Sequence, residues 1–161
     1  MIMASAQGVR KISSKLRFVL QDFSYLNIDL VKGRDFWKIT TASKTNLFEN
    51  LTKDKLKFKV FANVSRLLRR LLMGEDPNES LFGDFLSGLS ILEKTENKED
   101  LQNIEVIIVL RILSNLGYIG GDEMFRTFVK SPLEDSLVYE LSKNRRKILE
   151  EVNKILKETH L

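Results

Sequence analysis

The chain has 161 residues, 43% of them hydrophobic, with no cysteine and a formal net charge of +4, a length that supports one domain, or two small modules sharing a core, without covalent staples. The missing thiols exclude disulfides and thiolate metal or nucleophile chemistry, and the longest unbroken apolar run, VIIVL at residues 106–110, is far short of the roughly 20 residues that cross a bilayer. The sole histidine, His160, lacks a second imidazole to complete a metal pair, and neither a GxSxG elbow nor a GxxxxGK[ST] phosphate loop occurs, so no catalysis and no cofactor are expected.

The opening MIMASAQ lacks the charged leader and apolar middle of a secretory signal, which places the protein in the cytoplasm with no membrane partner. The next stretch, AQGVRKISSKLRFVLQDFS, carries Arg10, Lys11, Lys15 and Arg17 before any acidic residue, the first being Asp22. Residues 1–44 hold eight cations against three aspartates, a net of +5, and leave 18 cations against 19 carboxylates for the rest. Positive charge concentrated in the first quarter attracts polyanions as a uniform surface does not. Residues 4–9 are expected to form a short strand. Further on, Leu26, Ile28 and Leu30 alternate with Tyr25, Asn27 and Asp29, the period of a strand with one buried face. Lys32-Gly33-Arg34 supplies a turn, and residues 36–41 return with Trp37, Ile39 and Thr41 on one face. These pieces predict a small antiparallel sheet of about three strands.

From Asp54 the apolar spacing changes to three and four, with Leu56, Val60, Val64, Leu67, Leu68, Leu71 and Leu72 along one helical face that ends near Gly74. Asn78 caps a second helix whose apolar side is Leu81, Phe82, Phe85, Leu89 and Leu92. Gly83 and Gly88 inside it are read as close packing or local looseness rather than ligand contacts. A charged linker at 93–100 precedes a third helix over 101–116, apolar on nearly every side and stopped by Gly117. Ser131-Pro132-Leu133-Glu134 has the pattern of a helix start. A last helix over 143–158 turns Ile148, Leu149, Val152, Ile155 and Leu156 inward and begins with Lys143, Arg145, Arg146 and Lys147, charges that oppose the dipole at a helix N-terminus. The fold class expected is α+β, a basic β module over 1–44 followed by an all-helical domain over 45–161.

Several elements in order carry a resemblance. Ala6, Gly8, Val9, Arg10 and Lys11, then Ser14-Lys15-Leu16, then Leu20, Gln21 and Phe23, then Gly33-Arg34, are similar to the later half of the N-terminal OB-fold in the RecO recombination-mediator family. LLRRLLMGEDPNESLFGDFLSGLSILE, LRILSNLGYIGG and the closing ILKETHL resemble that family's helix-break-helix, its L-G-Y helix end and its last helix, with residues 122–143 matching poorly. The resemblance implies a partial OB-fold with two strands fewer than the five-stranded barrel, unless Met1 is not the natural start or a partner supplies strands. It implies no zinc, because the cysteine-rich insert of many members has no counterpart.

The function implied by the resemblance is non-enzymatic DNA repair and recombination in bacteria, at the nucleoid. Single- and double-stranded DNA are bound without sequence preference, complementary strands are annealed, and RecA is loaded with RecR onto strands coated by single-stranded DNA-binding protein. Docking of that protein's acidic tail is left open, since the third helix begins Asn103-Ile104-Glu105-Val106 without arginine. The nucleic-acid contacts expected are Arg10, Lys11, Lys15 and Arg17 first, then Lys32, Arg34 and Lys38, with Tyr25, Phe36 or Trp37 as base-stacking rings, although Trp37 fits a core position better. The alternative is a helical interaction adaptor that does not touch nucleic acid.

Overall fold

The computed structural model describes residues 2–45, 47–72, 74–120 and 123–158, so the expectation for His160 lies outside the described residues. A three-stranded sheet is followed by a helical bundle, the α+β arrangement that the change in periodicity predicts. Strand β1 (Ala4–Ser5) lies beside β3 (Trp37–Lys44), which pairs on its other side with β2 (Leu26–Lys32). The β2–β3 hairpin is antiparallel, with Leu30 opposite Ile39 and Lys32 opposite Trp37, but β1 runs parallel to β3. The sheet is therefore mixed, and β1 stops at Ser5 because the chain then enters a series of tight turns. A bulge shifts the register between Asp29 and Leu30, placing Thr41 opposite Asp29. The extra residue reverses the alternation, so Thr41 leaves the face of Trp37 and Ile39, and its hydroxyl bonds the Asp29 carboxylate.

Helix α1 (Leu16–Val19) lies against β3. After a 3-10 turn at Glu49–Thr52, α2 (Lys55–Leu71) starts at Asp54, whose carboxylate accepts from the Leu56 and Lys57 amides at 2.8 and 2.9 Å. The first turn of α2 differs from expectation: Leu56, on the predicted face, is exposed, while Lys57, outside it, is buried and donates to the Glu93 carbonyl at 2.8 Å and to Glu96 at 2.7 Å. The lysine stem packs inward and its ammonium caps the end of the neighbouring helix. That neighbour, α3 (Glu79–Lys94), is capped by Asn78 and buries Leu81, Leu89 and Leu92, but leaves Phe82 exposed. Gly88 meets α4 (Lys98–Asn115) so closely that a Cβ there would lie 2.6 Å from Ile108 Cγ1.

Helix α4 begins three residues earlier than its apolar pattern, because the Asn97 side chain accepts from Glu99 and Asp100. It is the buried axis, packed by α2, α3, α5 (Glu123–Lys130) and α6 (Asp135–Glu158). Gly117 ends it at φ +78°, where the Tyr118 amide reaches back to the Leu113 carbonyl. Residues 131–134 do not open a helix. The Ser131 carbonyl instead accepts from Arg111, and α6 starts at Asp135 and runs unbroken through the position where a separate last helix was expected. Lys143 to Lys147 consequently lie within a helix, away from its dipole ends.

The sheet joins the bundle through aromatic rings. Phe23 stacks edge-on against Phe58 and Phe61, with centroids 5.1 and 5.4 Å apart, and Tyr25 meets Phe48 at 5.5 Å. Phe23 and Phe48 both take left-handed backbone, φ 60° and 66°, a conformation that a bulky residue adopts only when its surroundings hold it there.

Candidate nucleic-acid interface

Of the four leading cations, Arg10, Lys11 and Lys15 occupy the connection between β1 and α1, and Arg17 lies in α1 itself. Gly8 enters the connection at φ +75°. The Lys11 amide then bonds the Gly8 carbonyl at 2.9 Å, Ser14 bonds Lys11 at 3.0 Å, and Arg17 bonds Ser14 at 3.2 Å. Each such turn holds Cα atoms three residues apart within about 7 Å, so successive turns fold residues 8–17 into a short knuckle. Arg10, Lys11, Lys15 and Arg17 are exposed on it, and among the described residues none forms an ion pair. Two apolar side chains accompany them, Ile12 at 85% exposure and Phe18 at 68%. Neither was singled out from the sequence, where an isolated apolar residue among cations has no periodic signal.

Lys32, Arg34 and Lys38 form a second group at the tip of the β2–β3 hairpin. Arg34 is exposed in the turn, which closes through a Gly33 to Phe36 backbone bond at 3.0 Å. Lys38 is half-buried with its ammonium 5.6 Å from the Phe36 ring. Lys32 is engaged: its Nζ lies 3.6 Å from Glu75 and 5.3 Å from the Trp37 ring centroid. Because β1 is parallel to β3, with Ser5 opposite Lys38, the chain leaves β1 heading away from the hairpin tip. The knuckle and the tip thus start from opposite directions along one sheet rather than from a single turn.

The rings divide similarly. Tyr25 packs on Phe48 and is half-buried, Phe36 is exposed at the tip, and Trp37 is half-buried with its indole N–H donating to Glu75 at 2.9 Å.

A further basic feature lies between α4 and α6. Arg145 Nη2 donates to Gln102 Oε1 at 2.7 Å, while Arg145 Nε is buried without a hydrogen-bond partner. Val106, Val109 and Leu149 line the adjacent groove of about 350 Å³. Of the Asn103 to Val106 run, Asn103, Ile104 and Val106 are buried, and only Glu105 reaches the surface, accepting from Asn63 at 2.9 Å. Among the described residues no group of three or more acids or histidines could hold a metal ion, and no helix is long and apolar enough to cross a membrane.

A family model described as "Recombination protein O C terminal" matches residues 56–119, the span from α2 to the end of α4. The chain is 26% identical over 167 residues to the DNA repair protein RecO of Acetivibrio thermocellus, covering 96% of this chain and 66% of that protein. It is 30% identical over 115 residues to the RecO of Heliobacterium modesticaldum, covering 71% of this chain and 40% of that protein. The RecO of Caldanaerobacter subterraneus subsp. tengcongensis is 25% identical over 123 residues, 73% of this chain and 47% of that protein. The chain therefore spans between 40 and 66% of the length of these relatives.

Proposed function

This chain belongs to the RecO family of DNA repair proteins, and from that premise we propose that it is a non-enzymatic recombination mediator acting at the bacterial nucleoid. In this reading it binds single- and double-stranded DNA, anneals complementary strands, and works with RecR to load RecA on strands covered by single-stranded DNA-binding protein. The observation that carries the DNA-binding part is the knuckle: four exposed cations without carboxylate partners among the described residues, beside an exposed ring, Phe18.

Each lysine or arginine that meets a phosphate releases condensed counterions, which favours association whatever the base sequence. Four contacts on a single strand give a slope of log K against log salt of about −3. Annealing follows from the same charge neutralisation, since two strands held on one protein no longer repel at full strength. Phe18 and Phe36 are the exposed rings that lie beside the basic groups, where they can stack on bases. For the acidic tail of single-stranded DNA-binding protein, the α4–α6 groove is the favoured site, because Arg145 carries a buried Nε–H that a carboxylate would satisfy. RecR and RecA rest on the family resemblance alone.

The adaptor reading has one observation in its favour: β2 is an outer strand with exposed Ile28 and Val31, open to pairing with another chain. A fluorescence titration with labelled single-stranded DNA, repeated across salt, separates the two. Replacing Arg10, Lys11, Lys15 and Arg17 together by alanine is expected to weaken binding at least tenfold, to lower annealing in parallel and to leave the circular-dichroism helicity unchanged. Unchanged affinity would remove the DNA-binding assignment and leave the adaptor.

A further inference from the structure

The hairpin tip holds an anion already. Trp37 Nε1–H donates to Glu75 Oε1 at 2.9 Å, and Lys32 Nζ lies 3.6 Å from Oε2 of the same carboxylate and 5.3 Å from the centroid of the Trp37 ring. An indole donor and an ammonium therefore converge on one carboxylate, and the ammonium also lies over the indole face. Glu75 comes from outside the sheet, in the connection between α2 and α3, 38 residues from Trp37. The neighbouring acids, Asp76 in that connection and Glu79 at the start of α3, make no hydrogen bond or ion pair with the hairpin among the described residues. The contact is specific to one side chain.

A nucleic-acid phosphate offers the same chemistry as this carboxylate, oxygen acceptors on a negative centre, and the half-buried indole of Trp37, once freed, offers a face for a base. The geometry points to Glu75 as an intramolecular stand-in for phosphate, a latch that keeps Lys32 and Trp37 occupied until a single strand displaces it. The inference rests on the nucleic-acid reading above and concerns its regulation. The knuckle makes first contact with its unpaired cations. The strand then competes with Glu75 for the tip, so that the bound length of the strand, rather than charge alone, decides whether the second group of contacts is recruited. A partly exposed ion pair of this kind holds by a small margin, which a phosphate can overcome.

Trp37 is the only tryptophan of the chain, so its emission reads the latch directly. The experiment uses the full chain, a 20-nucleotide thymidine oligomer, and two variants with exposed sites of substitution, Glu75→Gln and Asp76→Asn. Both remove one negative charge from the same connection, but only the first touches the latch. Glu75→Gln is expected to bind the oligomer about fivefold tighter, the effect of removing a competing surface pair. It is also expected to reach its full Trp37 quenching at lower oligomer concentration. Asp76→Asn should change affinity less than twofold and leave the free-state emission of Trp37 unaltered. Equal gains in both variants would reduce the effect to general charge and overturn the latch, as would wild-type affinity in Glu75→Gln. If neither wild type nor variant binds the oligomer, the nucleic-acid reading itself fails and the latch falls with it; binding by wild type without a gain in Glu75→Gln defeats the latch alone.

Discussion

Arg111 shows how much a single buried side chain organises in this bundle. From the middle of α4 its Nε donates to the Phe128 carbonyl at 3.2 Å, its Nη2 to the Ser131 carbonyl, and its Nη1 lies 3.4 Å from Asp84 on α3. The guanidinium thus satisfies the end of α5 and binds three helices together. Arg111→Ala is expected to cost about 3 kcal/mol, since it strands the Phe128 and Ser131 carbonyls and, among the described residues, leaves Asp84 with the Asn115 amide alone, as measured by urea unfolding. Arg111→Lys should recover less than half of that, because an ammonium is a compact point charge without the extended planar fork that sets separate donors on these three acceptors. Asp54 shows the same economy at the surface. The Lys57 amide, then the Leu56 amide and the Lys57 charge, hold its carboxyl below the ordinary aspartate range against an opposing effect of desolvation. A depressed folded value means that its contribution is complete above the unfolded value of about 3.9 and is lost as pH falls through the folded value. The melting-temperature gap between wild type and Asp54→Ala should therefore be full at pH 7 and shrink at pH 3.

At the scale of elements, the two glycines of α3 separate packing from propensity. Nothing lies within 4 Å of a Cβ added at Gly83, whereas one added at Gly88 would strike Ile108 Cγ1 at 2.6 Å. Gly83→Ala should stabilise by about 0.5–1 kcal/mol through helix propensity alone, and Gly88→Ala should destabilise by about 1–3 kcal/mol as α3 is pushed from α4. Calorimetric melting of the two variants checks the sign of each. Local signals read well here: the cap at Asn78 and the stop at Gly117 lie where the residue types and spacing place them, because those interactions involve neighbours in sequence. The Ser131-Pro132 pattern misled because its outcome depends on Arg111, 20 residues away. The parallel pairing of β1, two residues long, had no periodicity to read. At the candidate interface the exposed cations were legible from charge alone, but the partner of Lys32 and Trp37 was not, since Glu75 reaches them only through the fold.

At the scale of the whole molecule, the sheet and the helical bundle meet at two places. Rings of Phe23 and Tyr25 join sheet to bundle at one end, Glu75 joins them at the other, and an apolar groove of about 590 Å³ lined by Ile28, Leu30, Leu72 and Phe82 lies between. Helix α4, by contrast, is packed on by four other helices. Opening the sheet exposes less apolar surface than opening the bundle, so the two should not share one stability. Hydrogen exchange is expected to show the amides of α4 exchanging only through global unfolding, and the paired amides of β2 and β3 exchanging at a lower free energy. Equal protection in both would mean that groove and latch couple sheet and bundle into one cooperative unit.

Phe23 and Phe48 bracket the β2–β3 hairpin, each with its backbone in the left-handed region and its ring packed against an aromatic neighbour. Beyond Tyr25, which seats Phe48, the hairpin is expected to behave as a cassette whose length and tip charges can be exchanged while the anchoring rings stay seated. A graft made there carries a new polar edge onto an unchanged helical foundation.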